Sequence, residues 1–284
     1  MKYIMLAVIT ITALFIYGNY RFKIKEIIVV SPKIPKSFDG FRILHLSDLH
    51  NASYGEENKR LIKAINKENP DAIFYTGDMT DELNFKNNTL YPLIKGINRM
   101  IPAYYVFGNH EDSLQSHEKV ELIETLEGVG IKILRNESIV ISKNQEEIYL
   151  YGLHSGGDYL RDTYSENGIL KLSKESLEVY LGPPRQGYNI LLAHNPLYGD
   201  TYVEAGYDLT LSGHIHGGMI RIPFLGGVFS PDRSFFPKYS KGKYLNSNKV
   251  LIVSPGIGGH KARIANPPTI YRIILKTQSH HKTT

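Results

Sequence analysis

The chain contains no cysteine. That excludes disulfides, thiolate catalysis and cysteine-built zinc sites, so any metal must be held by His, Asp, Glu, Asn or backbone groups. Strong charge of either sign is also missing: Lys and Arg number 33 against 28 Asp and Glu, a formal net charge of +5. This excess is too small to point to nucleic acid, and no nucleic-acid partner is expected. It suits an anionic substrate or an anionic membrane surface. Internal repeats are absent as well. What is present is enough apolar material, 42% of 284 residues, to bury a sizeable core in one large α/β domain or two small ones.

The N-terminus carries a run without charge, YIMLAVITITALFIYGNY, residues 3–20. A bilayer-spanning helix needs about 20 apolar residues, range roughly 17–25, and this run is just long enough. Tyr3, Tyr17 and Tyr20 lie near its ends, where amphipathic rings favour the membrane interface. No small-x-small cleavage site follows it. Residues 1–22 are therefore expected to form an uncleaved, single-pass anchor at the cell membrane. Arg21, Lys23 and Lys25 outnumber the positive charge at Lys2 and the terminal amine, a lean towards a cytoplasmic catalytic side.

Beyond the anchor, residues 23–276 read as the catalytic domain and 277–284 as a frayed polar tail. Residues 27–30 predict an edge strand, closed by prolines. Strands at 42–47, 71–77 and 103–108 alternate with helices at 56–68, 89–99 and 115–127. On the helices, Leu61, Ile62 and Ile65 form one apolar stripe and Val120, Ile123 and Leu126 another. Alternation of this kind argues for a parallel sheet with helices on its faces. The second half has short strands and brief turns (IKIL, SIVIS, EIYLYGLH), which suggest antiparallel pairing. A long loop with a short helix near 173–180 spans 154–187. Strands at 189–194, 207–214, 249–256 and 269–275 follow. The expected class is α/β, a two-sheet mixed β sandwich flanked by helices.

The polar residues fall just after strand C-termini: Asp48 and His50 in HLSDLH, Asp78 in YTGD, Asn109 and His110 in VFGNH, His194 in LLAH, His214 and His216 in SGHIHGG. Ligands of open α/β sheets bind outside the carboxyl ends of the strands. Asp48/His50 and His214/His216 are i,i+2 pairs, which share one side if the backbone is extended. Taken singly, an Asp after a strand is an ordinary turn former. Together, Asp48, His50, Asp78, Asn109, His194, His214 and His216 exceed what one tetrahedral ion takes, about four ligands, and suit two ions. With only two carboxylates among them, about +1 remains after a bridging hydroxide, a charge that attracts phosphate. The imidazole-rich set favours Mn, Fe, Zn or Co over Ca or Mg. His154, Arg185 and Arg263 are lesser candidates for meeting phosphate, read first as solvated surface residues.

The set and its order (D-x-H, GD, GNH, a lone H, GHxH) resemble the calcineurin-like metallophosphoesterase superfamily over roughly residues 38–275. The likeness is closest to a membrane-associated bacterial branch that includes phosphodiesterases and lipid-A-pathway sugar-nucleotide hydrolases. SDLH, GNHE, AHNP and SGHIHGG carry it, while PPT at Thr269 departs from the common PPE. The resemblance implies that Asp48, His50 and His216 hold one metal, that Asn109, His194 and His214 hold the other, and that Asp78 bridges. It implies that His110 faces the substrate as an acid or charge stabiliser, a role that suits a group titrating near neutrality. The implied activity is hydrolysis of a phosphate ester by a metal-bridging hydroxide near a membrane. A sugar-nucleotide lipid pyrophosphohydrolase is the narrower alternative. A non-catalytic scaffold is the rival of another class, disfavoured because every ligand position is filled.

Overall fold

The computed structural model describes residues 21–154, 172–222, 224–230, 235–258 and 263–278, with Lys2, Tyr3, Met5 and Thr12 before them. Its strands are β1 Lys23–Ser31, β2 Arg42–Leu46, β3 Ala72–Tyr75, β4 Ala103–Tyr105, β5 Ile131–Ile133, β6 Glu137–Lys143, β7 Glu146–Leu153, β8 Asn189–Ala193, β9 Leu209–Ser212, β10 Ile220–Ile222, β11 Gly226–Phe229, β12 Gly242–Asn246, β13 Lys249–Val253 and β14 Thr269–Thr277. Helices are α1 Lys59–Glu68, α2 Leu90–Gly96, α3 Asn109–Asp112, α4 Ser116–Gly128, α5 Lys174–Leu181 and α6 Gly199–Ala205.

Two six-stranded sheets run β1-β14-β2-β3-β4-β5 and β12-β13-β9-β8-β7-β6, and β10 and β11 form a separate hairpin. In the first sheet β2 to β5 are parallel, and β14 lies antiparallel to β2 while pairing parallel with β1. In the second, β7, β8, β9 and β13 are parallel, with antiparallel β6 and β12 at the edges. Apolar side chains from both sheets, among them Ile43, Phe74, Leu150, Leu192, Leu211 and Ile273, form the layer between them. A second cluster lies under α1, α2 and α4, and a third under α5 and α6. The mixed two-sheet sandwich with outer helices is thus present. Continuous apolar runs such as NILLA (β8) are buried throughout, as strands covered on both faces must be.

Several expectations change. SIVIS and EIYLYGLH pair antiparallel as β6 and β7, as expected, but IKIL joins the first sheet parallel to β4, and β7, β8, β9 and β13 are parallel. Short strands there are joined through helices as well as turns. On α4 the buried residues are Leu122 and Leu126, an i,i+4 pair, while Val120 is 54% exposed. Val120 stands about 120–160° around the helix from those two residues. The segment 56–68 is a 3-10 turn, Glu56–Asn58, followed by α1, because Glu57 and Asn58 take left-handed conformations. The expected anchor lies outside the described residues apart from Lys2, Tyr3, Met5, Thr12, Arg21 and Phe22. Among the described residues no helix is long and apolar enough to cross a membrane, so the fold lends the anchor no support. Of the expected 154–187 loop, 155–171 lie outside the described residues. The tail begins later than 277, since β14 includes Thr277 and its N–H donates to Asp39.

Gly152 in β7 shows how close the sheets pack. A Cβ there would collide with the Cβ of Leu134 and stand 2.9 Å from Val106 Cγ1. Gly152→Ala is expected to cost about 1–3 kcal/mol through overpacking, read as a fall in the urea midpoint with unchanged slope.

Candidate metal centre

The parallel strands of both sheets end at the same side of the sandwich, and the polar loops meet there. Backbone bonds tie the loops together: Asp48 N to Gly77 O (3.0 Å), His50 N to Asp78 O (3.1 Å), Gly213 N to His194 O (2.9 Å) and Gly258 N to Asp48 O (2.8 Å). All eight residues expected at the site converge. Arg185 does not: it precedes β8 at the strand's far end, lying over the Tyr149 ring.

The convergence has a different origin from the one expected. Asp48, His50, His214 and His216 are not extended; their φ values are 53°, 44°, 67° and 50°, and Asp78 is at 52°. Non-glycine residues in this left-handed region are uncommon and strained. Left-handed turns, not strand pleating, bring each i,i+2 pair to one centre. Two glycines make room beside them. A Cβ on Gly108 would collide with Asp78 Oδ1, and one on Gly213 with Asp48 Oδ2 and Ser47 Oγ.

Two sets of donors result. Asp48, His50 and His216 form one, and Asp78, His194 and His214 the other, each with its ligand atoms within 4.8 Å of one another. In the first, His50 Nε2 and His216 Nε2 are 3.1 Å apart, and Asp48 Oδ1 stands 3.6 Å from His216 Nε2. In the second, His194 Nε2 lies 3.1 Å from Asp78 Oδ2, 3.2 Å from Asn109 Oδ1 and 3.2 Å from His214 Nδ1. Asp78 Oδ2 also reaches to 3.8 Å from His50 Nε2, so it faces both sets. Two nitrogens each about 2.0–2.1 Å from a tetrahedral ion stand about 3.3 Å apart, close to the spacings found. Asp48 Oδ2 is buried with no hydrogen-bond partner, and Asp48 and Asp78 are 0% and 2% exposed. A buried carboxylate needs hydrogen-bond donors or a cation to offset its lost hydration. The donor set therefore fits divalent cations.

The electrostatics agree. Burial, with Asp78 nearby, raises Asp48 to about 6 even against the pull of His194. Burial also opposes the charge of Asp78, but His194, His50 and His110 overcome it and hold its carboxyl well below the usual range. Burial works against the His194 imidazolium, yet Asp78 and Asp48 lift it to about 10. His50 falls to about 3 and His216 well below its ordinary value, both through burial, which leaves neutral imidazoles able to bind metal. His194 Nδ1–H donates to Thr76 O at 2.6 Å, which turns the Nε2 lone pair to the site.

His110 stands apart at the rim. It is part-buried, its Nε2 is 3.9 Å from Asp78 Oδ2, its ring meets that of His50 edge-on, and Nδ1 contacts Glu82. Burial works against its charge, but Asp78, Glu82 and Asp81 raise its pKa.

Three supporting residues were not assigned from the sequence. Glu111 is fully buried, and its carboxylate accepts from the backbone N–H of Asp78 (2.7 Å), Met79 (2.8 Å), Thr80 (3.2 Å) and Gly108 (2.8 Å), and from Tyr105 Oη (2.7 Å). It locks the Asp78 loop to the Asn109 loop; the E of GNHE was its signal. Arg263, expected as a solvated surface residue, is 2% exposed; it donates to Pro255 O and Gly258 O and lies 3.4 Å from His216 Nδ1. It is a bracket for the loop behind Asp48, where a charged group is satisfied by carbonyls. Asn266 Nδ2 donates to His216 O at 2.6 Å. His154 is part-buried, paired with Asp112 Oδ1 at 2.7 Å and packed on Phe107.

Strand-end loops of two sheets thus gather a buried His/Asp cluster fit for metal-dependent chemistry. The calcineurin-like phosphoesterase family profile matches residues 41–218, and the chain belongs to that family. It is 28% identical over 235 residues to the uncharacterized metallophosphoesterase YkuE of Bacillus subtilis (81% of this chain, 76% of that protein). It is 27% identical over 227 residues to the phosphodiesterase YaeI of Escherichia coli (77% and 75%). It is 27% identical over 289 residues to a transmembrane protein with metallophosphoesterase domain of Danio rerio (95% and 62%). The chain is an enzyme, a metal-dependent phosphoesterase.

Glu111→Gln puts an NH2 group among backbone donors. Loss of about 3 kcal/mol or more of unfolding free energy is expected, measured by denaturant titration. Lys241, which donates to Asn266 Oδ1 at 3.1 Å, is pushed down to about 7, first by burial and then by Arg221, Arg263, Lys25 and Lys23. The unfolded chain keeps this proton up to its ordinary 10.5, so between pH 7 and 10.5 the unfolded state binds more protons and stability rises with pH. Lys241→Met is expected to be more stable than the native chain at pH 7, by a margin that shrinks towards pH 10.5 in paired thermal melts.

Proposed function

We propose that the chain hydrolyses a phosphodiester with two divalent cations (Mn, Zn or Fe) at the membrane. The observation that carries this reading is Asp78, whose Oδ2 faces both donor sets. Asp48, His50 and His216 would hold one ion, Asn109, His194 and His214 the other, and Asp78 would bridge. When bound, the ions supply a water activated near neutral pH and positive charge for the phosphate oxygens. Neutral His50 and His216 keep the net charge of the site positive, which draws in an anionic ester. His110, at the rim with its pKa raised by the neighbouring carboxylates, is the group that would give a proton to the leaving oxygen. Glu82 orients its ring from the other side.

The diester preference is supported by the likeness to YaeI, and the membrane placement by the uncharged run at residues 3–20 and the likeness to the zebrafish transmembrane protein. A sugar-nucleotide lipid pyrophosphohydrolase is the narrower form of this reading. The 23% identity to a protein named UDP-2,3-diacylglucosamine pyrophosphatase LpxG of Chlamydia muridarum supports it less strongly, because it is lower.

Metal analysis of the purified chain is expected to give two ions per molecule, and His216→Ala about one. His110→Ala is expected to retain both ions while kcat on bis(4-nitrophenyl) phosphate falls by about 10²–10⁴. Unchanged kcat at saturating substrate would remove His110 from the chemistry. Inactivity of the metal-loaded native chain across monoesters, diesters and nucleotide-sugar lipids would remove the proposal itself.

A further inference from the structure

Two features of the metal-centre end serve neither the chemistry nor the core. One is the β10–β11 hairpin, which leaves the 3-10 turn His216–Gly218 and returns through Phe229. Its base is fixed: Arg221 N–H donates to Ile264 O (3.1 Å), and Arg221 Nη1 to Gly217 O (2.8 Å). Its remainder is apolar and turned outward. Phe224 is fully exposed, Leu225 is 64% exposed, and Ile220, Ile222, Phe235 and Phe236 are exposed beside them. Scattered exposed apolar residues are normal, but six within one short stretch, two of them at a hairpin tip, form a patch.

The other feature is a basic seam. β14 runs antiparallel to β2, so Thr269 lies at the metal-bearing end of β2, and Lys23 pairs with Thr269. Lys23 and Lys25 share the strand face of Ile27 and Val29, which is turned to the second sheet. Across from them stands Lys241. Arg221 closes the seam at the foot of the hairpin, near enough for Arg221, Lys23 and Lys25 all to depress Lys241. β1 begins here, two residues after the uncharged sequence run 3–20. Apolar tip, basic seam and the start of β1 therefore share one end with the metal centre.

We propose that this end is a membrane-docking surface: the β10–β11 hairpin dips into an anionic bilayer, Arg21, Lys23 and Lys25 meet its headgroups, and the metal centre faces the lipid surface. Large apolar side chains next to basic ones are the composition of interfacial elements, which bury about 5–10 Å into the headgroup boundary. Each Lys or Arg near an anionic surface adds about 1 kcal/mol of attraction. Docking of this kind orients the enzyme beyond what a flexible tether does, and it favours a phosphodiester carried by a lipid. Only the activity arm below rests on the phosphoesterase reading.

The chain has no tryptophan, so a single introduced one reports alone. The full chain would be reconstituted in vesicles of phosphatidylcholine and phosphatidylglycerol with brominated acyl chains. Phe224→Trp is expected to lose roughly half its emission or more to the bromines, as a ring at the acyl boundary would. Met100→Trp, exposed just before β4 at the opposite end, should keep its emission. An unquenched Phe224→Trp overturns the proposal. A blue-shifted but unquenched one also does, since the patch is then covered by the chain itself. In the activity arm, Phe224→Asp with Leu225→Asp should raise KM at least about tenfold for a vesicle-borne lipid 4-nitrophenyl phosphodiester. The same variant should leave soluble bis(4-nitrophenyl) phosphate turnover unchanged, and equal losses on both substrates count against docking. If the native chain hydrolyses neither, the phosphoesterase reading fails while the quenching result still decides the surface.

Discussion

Asp48 and Asp78 are two carboxylates buried together where the sheets of the sandwich end. Two like charges out of water repel and cannot both stay ionised without cations near them. The structure supplies imidazoles rather than ammonium or guanidinium groups as nearest neighbours, and burial keeps His50 and His216 neutral. The short His–His and His–Asp spacings suit donors grouped around a divalent cation. Much of the surrounding backbone is arranged to hold this arrangement, which would otherwise spring apart.

Two devices do the holding. One is a third buried carboxylate, Glu111, which makes no approach to the donors and spends its charge on four backbone N–H groups and a tyrosine. It ties the loop after β3 to the loop after β4 from below. The other is the strained backbone itself: five of the seven proposed ligands sit at positive φ. An unsupported left-handed residue relaxes; these persist because cross-loop hydrogen bonds over-determine them. Rigidity of this kind is useful where donors must stand ready at fixed spacing before an ion or substrate arrives.

The residues of this centre were legible in the sequence because strand ends and metal-competent side chains coincide five times along the chain. Their backbone conformation was not. An i,i+2 pair reads as extended until the turn is seen, and Asp or His at positive φ leaves no mark in the residue types. The sheets were legible in outline from apolar runs. Their pairing was harder, because a short buried strand looks alike whether its partner runs parallel or antiparallel, as IKIL shows in β5. Arg263 was misread because arginine is usually at the surface. Only the three-dimensional fold reveals the carbonyls of Pro255 and Gly258 that satisfy it indoors.

Topology gives the last step. A strand added at the edge of a parallel sheet could enter from either end. Here β14 reverses against β2, and β1 then runs parallel to β14, so the chain comes in at the end where the metal donors lie. Entry at the opposite end would set the uncharged N-terminal run some strand-length away from the chemistry. The hairpin that follows His216 projects from the same end, although nothing in metal binding requires residues beyond Gly218 to be apolar or exposed. Two segments nearly 200 residues apart in the chain thus bring the basic residues of β1 and the exposed apolar residues of the β10–β11 hairpin to the end where the metal donors lie, and the proposed docking rests on that meeting.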